Sequence, residues 1–165
     1  MNTGILNIEK QKYIEEVGLT FEQFGMTRMA GRVLGYLMIC DQDAASFNTI
    51  CEAIQASKGS ASGSLKQLLQ IGFIKAVSLP GDRKTYYQIN KMPWTDFLTS
   101  KLDLYDLFAE NLEKGRSLKT REDEVSEWLL EASVFYRWIG GKVHDIIDEW
   151  EREKKQIMRD ELTKT

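Results

Sequence analysis

The hydrophobic period of this chain changes at Gly72 from helical to alternating, and that switch restricts the fold more than any other feature. Ahead of it, Ser46 stands where an N-cap belongs, before a short helical run from Phe47 to about Gln55 with Ile50, Cys51 and Ile54 facing inward. Ser57 stands likewise before a second run that reaches about Ile71 and stops at Gly72. Beyond the switch, residues 73–79 (FIKAVSL) read as a strand and residues 85–89 (TYYQI) as its partner. Between them Pro80 and Gly81 hold the central positions of a type II turn, which needs a preset φ first and a positive φ second. Two capped helices followed by a β-hairpin make a winged helix-turn-helix. The predicted fold class is therefore mainly α with a small β-hairpin wing (α+β), a winged helix-turn-helix flanked by N- and C-terminal helices.

The flanks carry long helical tracts because proline is nearly absent, with only Pro80 and Pro93, both at the ends of elements. A first tract over about 7–24 has Tyr13, Ile14, Val17, Phe21 and Phe24 at helical spacing and stops at Gly25. A second, from about Thr27 to Cys40, is apolar along Met29, Val33, Leu34, Leu37 and Met38. Its Gly31 and Gly35 share a face and let another helix come close. After Pro93, Trp94, Phe97, Leu98, Leu102, Tyr105, Phe108, Ala109 and Leu112 form one stripe, which Gly115 is expected to interrupt. A run at roughly heptad spacing then goes from Val125 to Ile157, with Gly140-Gly141 expected to kink or split it. The implied organisation is an N-terminal helix over 1–25, a winged helix-turn-helix domain over 26–92, and a helical region over 93–165.

Length and composition narrow the function. At 165 residues, 42% hydrophobic and 28% charged, the chain has one domain's worth of ordinary globular sequence. It has no run of ~18 uncharged apolar residues to span a membrane. Its N-terminus lacks the basic-then-apolar pattern of an export signal, and the expected location is the cytoplasm. Cys40 and Cys51 lie in apolar surroundings and read as inert core thiols. The single histidine, His144, stands four before Asp148, a spacing that suits surface pairing better than half a metal site. No nucleophile–base pair, phosphate loop or carboxylate dyad is present. The chain reads as no enzyme, with no cofactor and no metal.

Charge points elsewhere. The formal net charge of -3 conceals six cations (Lys58, Lys66, Lys75, Arg83, Lys84 and Lys91) against Asp82 alone over residues 57–91. A basic block in an acidic chain is the footprint of a phosphate-binding surface. The helix after Ser57 should bury Ala61, Leu65, Leu68 and Leu69, leaving Gly59, Ser60, Gly63, Lys66 and Gln67 outside. Two internal glycines cost about 1 kcal/mol each in helix propensity. Close approach of the helix to a DNA groove is a reason to accept that loss. The residues expected to meet DNA are Ser57, Lys58, Ser60, Ser62, Lys66 and Gln67 in the major groove and on adjacent phosphates, with Arg83 and Lys84 on the wing. Asp82 is expected to steady the Arg83 guanidinium. Arg28 and Arg32 are expected to pair with Glu16 and Glu22 on the first helix, and the C-terminal aromatics to serve as core or dimer interface rather than an effector pocket.

Residues 25–37 (GMTRMAGRVLGYL), 56–62 (ASKGSAS), Leu68 to Gly72 and 80–87 (PGDRKTYY), in that order, resemble the MarR superfamily of winged-helix regulators, and within it the GbsR-type branch. The likeness covers about residues 12–90 and fades to a general one beyond 93. It implies a homodimeric transcriptional regulator on a pseudo-palindromic operator. The outer helices would form the dimer, and Arg83 would sit in the minor groove. The best-known members of that branch answer to choline-like solutes, but no residue set in this chain shows the aromatic cage such a ligand needs.

The function so expected is sequence-specific DNA binding by a homodimeric repressor, released by an unknown small-molecule effector and with no membrane partner. The rival is a winged helix used for protein–protein assembly. A partner-binding face of that kind would carry aromatic or aliphatic anchors where this chain has glycine and serine.

Overall fold

The computed structural model describes residues 7–92 and 94–164. Pro93, expected at an element boundary, and the side chains of Trp94 and Phe97 lie outside the described residues. The chain divides into two compact units, Met1–Lys91 and Met92–Thr165.

The first unit is built around a central helix. Asn7 caps α1 (Ile8–Gln23), its side chain accepting from the Lys10 amide, and Thr27 caps α2 (Arg28–Ile39) by accepting from Ala30. Helix α2 is apolar nearly all round and buries seven residues: Ala30, Gly31, Val33, Leu34, Gly35, Tyr36 and Leu37. An all-round apolar helix belongs inside a domain, and around α2 stand α1, α4 (Lys58–Ile71) and the sheet. The glycine prediction holds: a Cβ on Gly31 would lie 2.8 Å from the Gly18 Cα, and one on Gly35 3.1 Å from the Val17 Cβ. The rest of the core is Ile14 of α1, Ile50 and Ile54 at α3 (Phe47–Ala53), Leu65 and Leu68 of α4, and Ile74 of β2 (Ile74–Ser78). Fully burying each such side chain stabilises by roughly 1.5–3 kcal/mol.

Local chemistry sets the ends of these elements. Helix α3 stops at Ala53, earlier than its periodicity suggests, because Gln55 adopts a left-handed φ of 50° that no helix continues through. Gly72 ends α4 with φ 88°, donating back to the carbonyls of Leu68 and Leu69. Strand β2 then pairs antiparallel with β3 (Thr85–Ile89), with Ser78 opposite Thr85 and Ile74 opposite Ile89. A third strand was not visible in the sequence. β1 (Ala45–Ser46) pairs with β3 on its other side, giving the order β1-β3-β2. Two residues are too few to show an alternating period.

The second unit is an antiparallel helical hairpin of α5 (Trp94–Ser117) and α6 (Glu124–Leu162). Two sequence expectations fail here. Helix α5 continues past Gly115, whose missing Cβ would only touch the Leu129 methyls at 4.0 Å. Helix α6 is a single helix of 39 residues, unbroken at Gly140-Gly141. Gly140 is buried, and a Cβ there would come no nearer than 4.0 Å, to the Asp106 carboxylate, so the helix simply runs through it. The buried residues of α6 are Ser126, Ser133 and Gly140, seven apart, and those of α5 include Leu102 and Ala109 at the same interval. Small residues in heptad register let the two backbones approach closely. The Tyr136 ring packs between Tyr105 (5.5 Å) and Phe108 (5.0 Å), and Glu113 accepts two hydrogen bonds from Arg137.

Candidate nucleic-acid interface

Helix α4 presents a smooth polar face. Ser57 is its N-cap and accepts from the Ser60 amide at 3.3 Å, so its hydroxyl oxygen already serves the helix. Lys58, Gly59, Ser60, Ser62, Gly63 and Lys66 are exposed, and Gln67 is half-buried. Gln67 Oε1 accepts from the Thr27 hydroxyl at 3.2 Å, which ties α4 to the start of α2 and leaves the amide nitrogen of Gln67 as its outward group. The inner face differs from expectation at one place. Ser64 is buried, whereas Leu69 is partly exposed, because the buried arc runs through Ala61, Ser64, Leu65 and Leu68. Sequence reasoning missed Gln70, which is exposed and continues the line of Gly59, Gly63 and Lys66 at helical spacing.

The glycines of this face have no packing role. A Cβ on Gly59 or Gly63 would meet nothing within 4 Å, unlike one on Gly18, Gly31 or Gly35. Gly63→Ala is therefore expected to raise stability by up to about 1 kcal/mol through helix propensity. The same methyl should weaken DNA binding by roughly 1 kcal/mol, by holding the helix off its groove. Thermal unfolding and DNA titration of one variant check both signs, and an unchanged DNA affinity would remove the close-approach argument.

The wing has the expected type II turn: Gly81 has φ 81°, and the Asp82 amide donates to the Leu79 carbonyl at 3.1 Å. Asp82 does not hold Arg83. Its Oδ1 accepts from the Lys84 amide at 2.9 Å and its Oδ2 from the Tyr86 hydroxyl at 2.7 Å. An aspartate two residues before an amide captures it as an Asx-turn does, which turns the carboxylate away from the neighbouring guanidinium. The Tyr86 hydroxyl and the Lys84 amide hold the Asp82 carboxyl below the usual carboxylate range, and the same carboxylate pushes the Tyr86 phenol up.

Ion pairing separates two classes of cation in the first unit. Lys10 pairs with Asp41, Lys12 with Glu16, and both Arg28 (3.1 Å) and Arg32 (2.7 Å) with Glu15. The arginines thus take the structural role expected of them, but through Glu15 rather than Glu16 or Glu22. Arg32 also donates to the Ile54 carbonyl at 2.7 Å, joining α1, α2 and the end of α3. By contrast Lys58, Lys66, Lys75, Arg83, Lys84 and Lys91 are all exposed, and among the described residues none forms an ion pair. Four cations are paired with carboxylates, and six face solvent from α4, the wing strands, the wing tip and the residue two past β3.

Other singled-out residues take no part in this surface. Cys51 is buried and Cys40 half-buried, and burial is the main cause raising both thiols, which disfavours the reactive thiolate. His144 and Asp148 are exposed and form no ion pair, contrary to the pairing their spacing suggested. Among the described residues no group of three His, Cys, Asp or Glu could hold a metal, and no helix is long and apolar enough to cross a membrane.

A helix-turn-helix whose second helix is backed by a three-stranded wing, followed by a long helical hairpin, defines a winged-helix protein. The chain is similar to the HTH-type transcriptional regulator MmpR5 of Mycobacterium tuberculosis, with 38% identity over 78 residues. That match is 47% of each chain, so this chain spans about half the length of the curated relative it matches. The fold is also similar to a crystal structure of a transcriptional regulator, with a TM-score of 0.75 and 26% sequence identity over 87% of this chain and 99% of that one. No protein-family model matches the chain.

Proposed function

We propose that this protein is a sequence-specific DNA-binding transcriptional regulator of the MarR superfamily, close to its GbsR-like branch. In this reading it is a homodimeric repressor that an effector releases. The observation that carries the reading is the set of six unpaired cations, five on α4 and the wing and Lys91 just beyond β3, in a chain whose net charge is -3. Four cations elsewhere in the same unit pair with carboxylates, so the bare cations of this unit are those of the segment from α4 to just past the wing. The likeness to MmpR5 and to a second transcriptional regulator supports the same reading.

Residues 26–92 would be the DNA-binding domain. Its Lys58, Ser60, Ser62, Lys66 and Gln67 would lie along the major groove, with Ser57 holding the helix start. Arg83 would enter the minor groove and Lys84 the adjoining phosphates. Residues 93–165 would pair two copies, helped by the helix within 1–25, and set two winged helices about one DNA turn apart. An effector that altered that spacing would lower affinity. Such a regulator works where its DNA is, in the cytoplasm, with no cofactor and no catalysis.

The test is titration of the protein with DNA from upstream of its own gene and with scrambled DNA, at roughly 50 and 200 mM salt. Binding to the upstream DNA should persist at the higher salt while binding to scrambled DNA is lost. Arg83→Ala should weaken the specific complex by about 1 kcal/mol or more with unchanged thermal stability, since the residue is exposed and forms no ion pair among the described residues. An absence of DNA binding at low salt would turn the reading to a protein-assembly module.

A further inference from the structure

A carboxylate at the tip of a basic hairpin is an electrostatic liability if that tip approaches phosphate. Asp82 occupies that place, and both of its oxygens are engaged inside the wing. Beyond the last ladder pair, Ser78 opposite Thr85, the tip is closed by the turn bond from Asp82 to Leu79 and by the Asp82 carboxylate. One oxygen of that carboxylate fixes the backbone at Lys84, next to Arg83. The other is held by a side chain on the central strand, because Tyr86 is paired with Val77 of β2 on one side and Ser46 of β1 on the other. The chain Tyr86–Asp82–Lys84 thus runs from the most constrained strand of the sheet to the residue beside the wing arginine.

We propose that Tyr86 is a positioning residue for DNA binding: through Asp82 its hydroxyl holds the wing tip in one conformation and so presents Arg83 already ordered. The proposal rests on the DNA-binding reading above. Its physical basis is preorganisation, since a tip ordered before binding loses less conformational freedom on the DNA. It also accounts for the aspartate, whose negative charge is offset by the order it imposes on the neighbouring arginine.

Tyr86→Phe removes one oxygen and no charge. We expect upstream DNA to bind roughly 3- to 10-fold more weakly, with the slope of log affinity against log salt unchanged because no phosphate contact is lost. In an Arg83→Ala background the same change should have almost no effect, because the hydroxyl acts through that arginine. Without DNA, backbone order parameters of residues 81–84 should fall in the Tyr86→Phe protein while the rest of the sheet is unaltered. Unchanged affinity, or losses that simply add to those of Arg83→Ala, would overturn the proposal. Wild-type protein that binds no DNA would overturn the DNA reading and this proposal with it. A wild-type complex that Tyr86→Phe leaves intact would overturn the clasp alone.

Discussion

A Trp128→Glu, Phe135→Glu double variant is expected to sediment as a monomer and to lose affinity for operator DNA by ~10²-fold or more. The hairpin itself explains why. Its seam is lined by Ser126, Ser133 and Gly140, with Tyr136 beside it, so α6 turns these toward its own partner helix and leaves Trp128, Phe135 and Ile146 outside. Trp128 is 58% exposed, Phe135 51% and Ile146 61%, and Trp150 and Ile157 continue the same stripe at intervals of four and seven. A contiguous apolar stripe of this length marks an interaction surface. In the proposed dimer it would face the second copy and bury both aromatics against apolar neighbours. Four carboxylates brought into that interface would each need desolvation without a partner. Each chain should still fold, because neither side chain is buried within it. Light scattering and circular dichroism test the two halves of the statement, and DNA titration tests the consequence. With one winged helix per molecule the second half-site no longer adds to the first. A wild-type protein that is monomeric, or a variant that remains a dimer, would remove this stripe from the assembly.

Gly31→Ala should destabilise the first unit by about 1–3 kcal/mol, even though alanine is the better helix former by about 1 kcal/mol. The added methyl would sit 2.8 Å from the Gly18 Cα, 2.9 Å from the Phe21 Cβ and 2.9 Å from the Val17 carbonyl oxygen. Two of those atoms are backbone and the third is a Cβ, so no rotamer change relieves the contact and α1 must move off α2. That movement would also strain Glu15, which bridges Arg28 and Arg32 across the same helix pair. For a domain of this size the midpoint of thermal unfolding should fall by several degrees, on the order of 2–8 °C per kcal/mol. Gly63→Ala is the internal control, since the same substitution in open space should shift the midpoint the other way. Equal effects at the two positions would mean that helix propensity, not the α1–α2 contact, governs both.

Much of the winged-helix half was legible from the sequence because its signals are local. Ser46 and Ser57 cap their helices whatever lies around them, since the hydroxyl reaches an amide three residues on. Gly72 and Gly81 supply positive φ where a helix must end and a turn must close. The strands over 74–78 and 85–89 declare themselves by β-branched and aromatic residues on either side of turn residues, although burial along them does not alternate strictly. The exposed face of α4 was nearly right, and erred at Leu69 because a period of 3.6 residues leaves the edge of a buried arc undefined until its neighbour is known.

The misses share a different cause. Strand β1 exists because β3 has a free edge beside it, and two residues carry no period of their own. Glu15, not Glu16 or Glu22, binds the arginines because the rotation of α1 about its axis is set by packing against α2, and adjacent helix positions lie about 100° apart. Asp82 finds the Lys84 amide and the Tyr86 hydroxyl instead of Arg83 for a similar reason: the strand pairing brings that phenol back over the turn. Gly140 does not split α6, because a glycine in a helix interior weakens it only where nothing else holds it, and α5 lies against this helix.

The sequence by itself determined where helices start and stop, where the wing turns, and where positive charge accumulates, all consequences of residues within about one helical turn of each other. Tertiary structure alone decided which cations are neutralised and which stay bare, which glycines admit a neighbouring helix and which stand in the open, and which face of the hairpin is left uncovered. Those outcomes depend on atoms far apart in the chain whose distances exist only once the helices are packed.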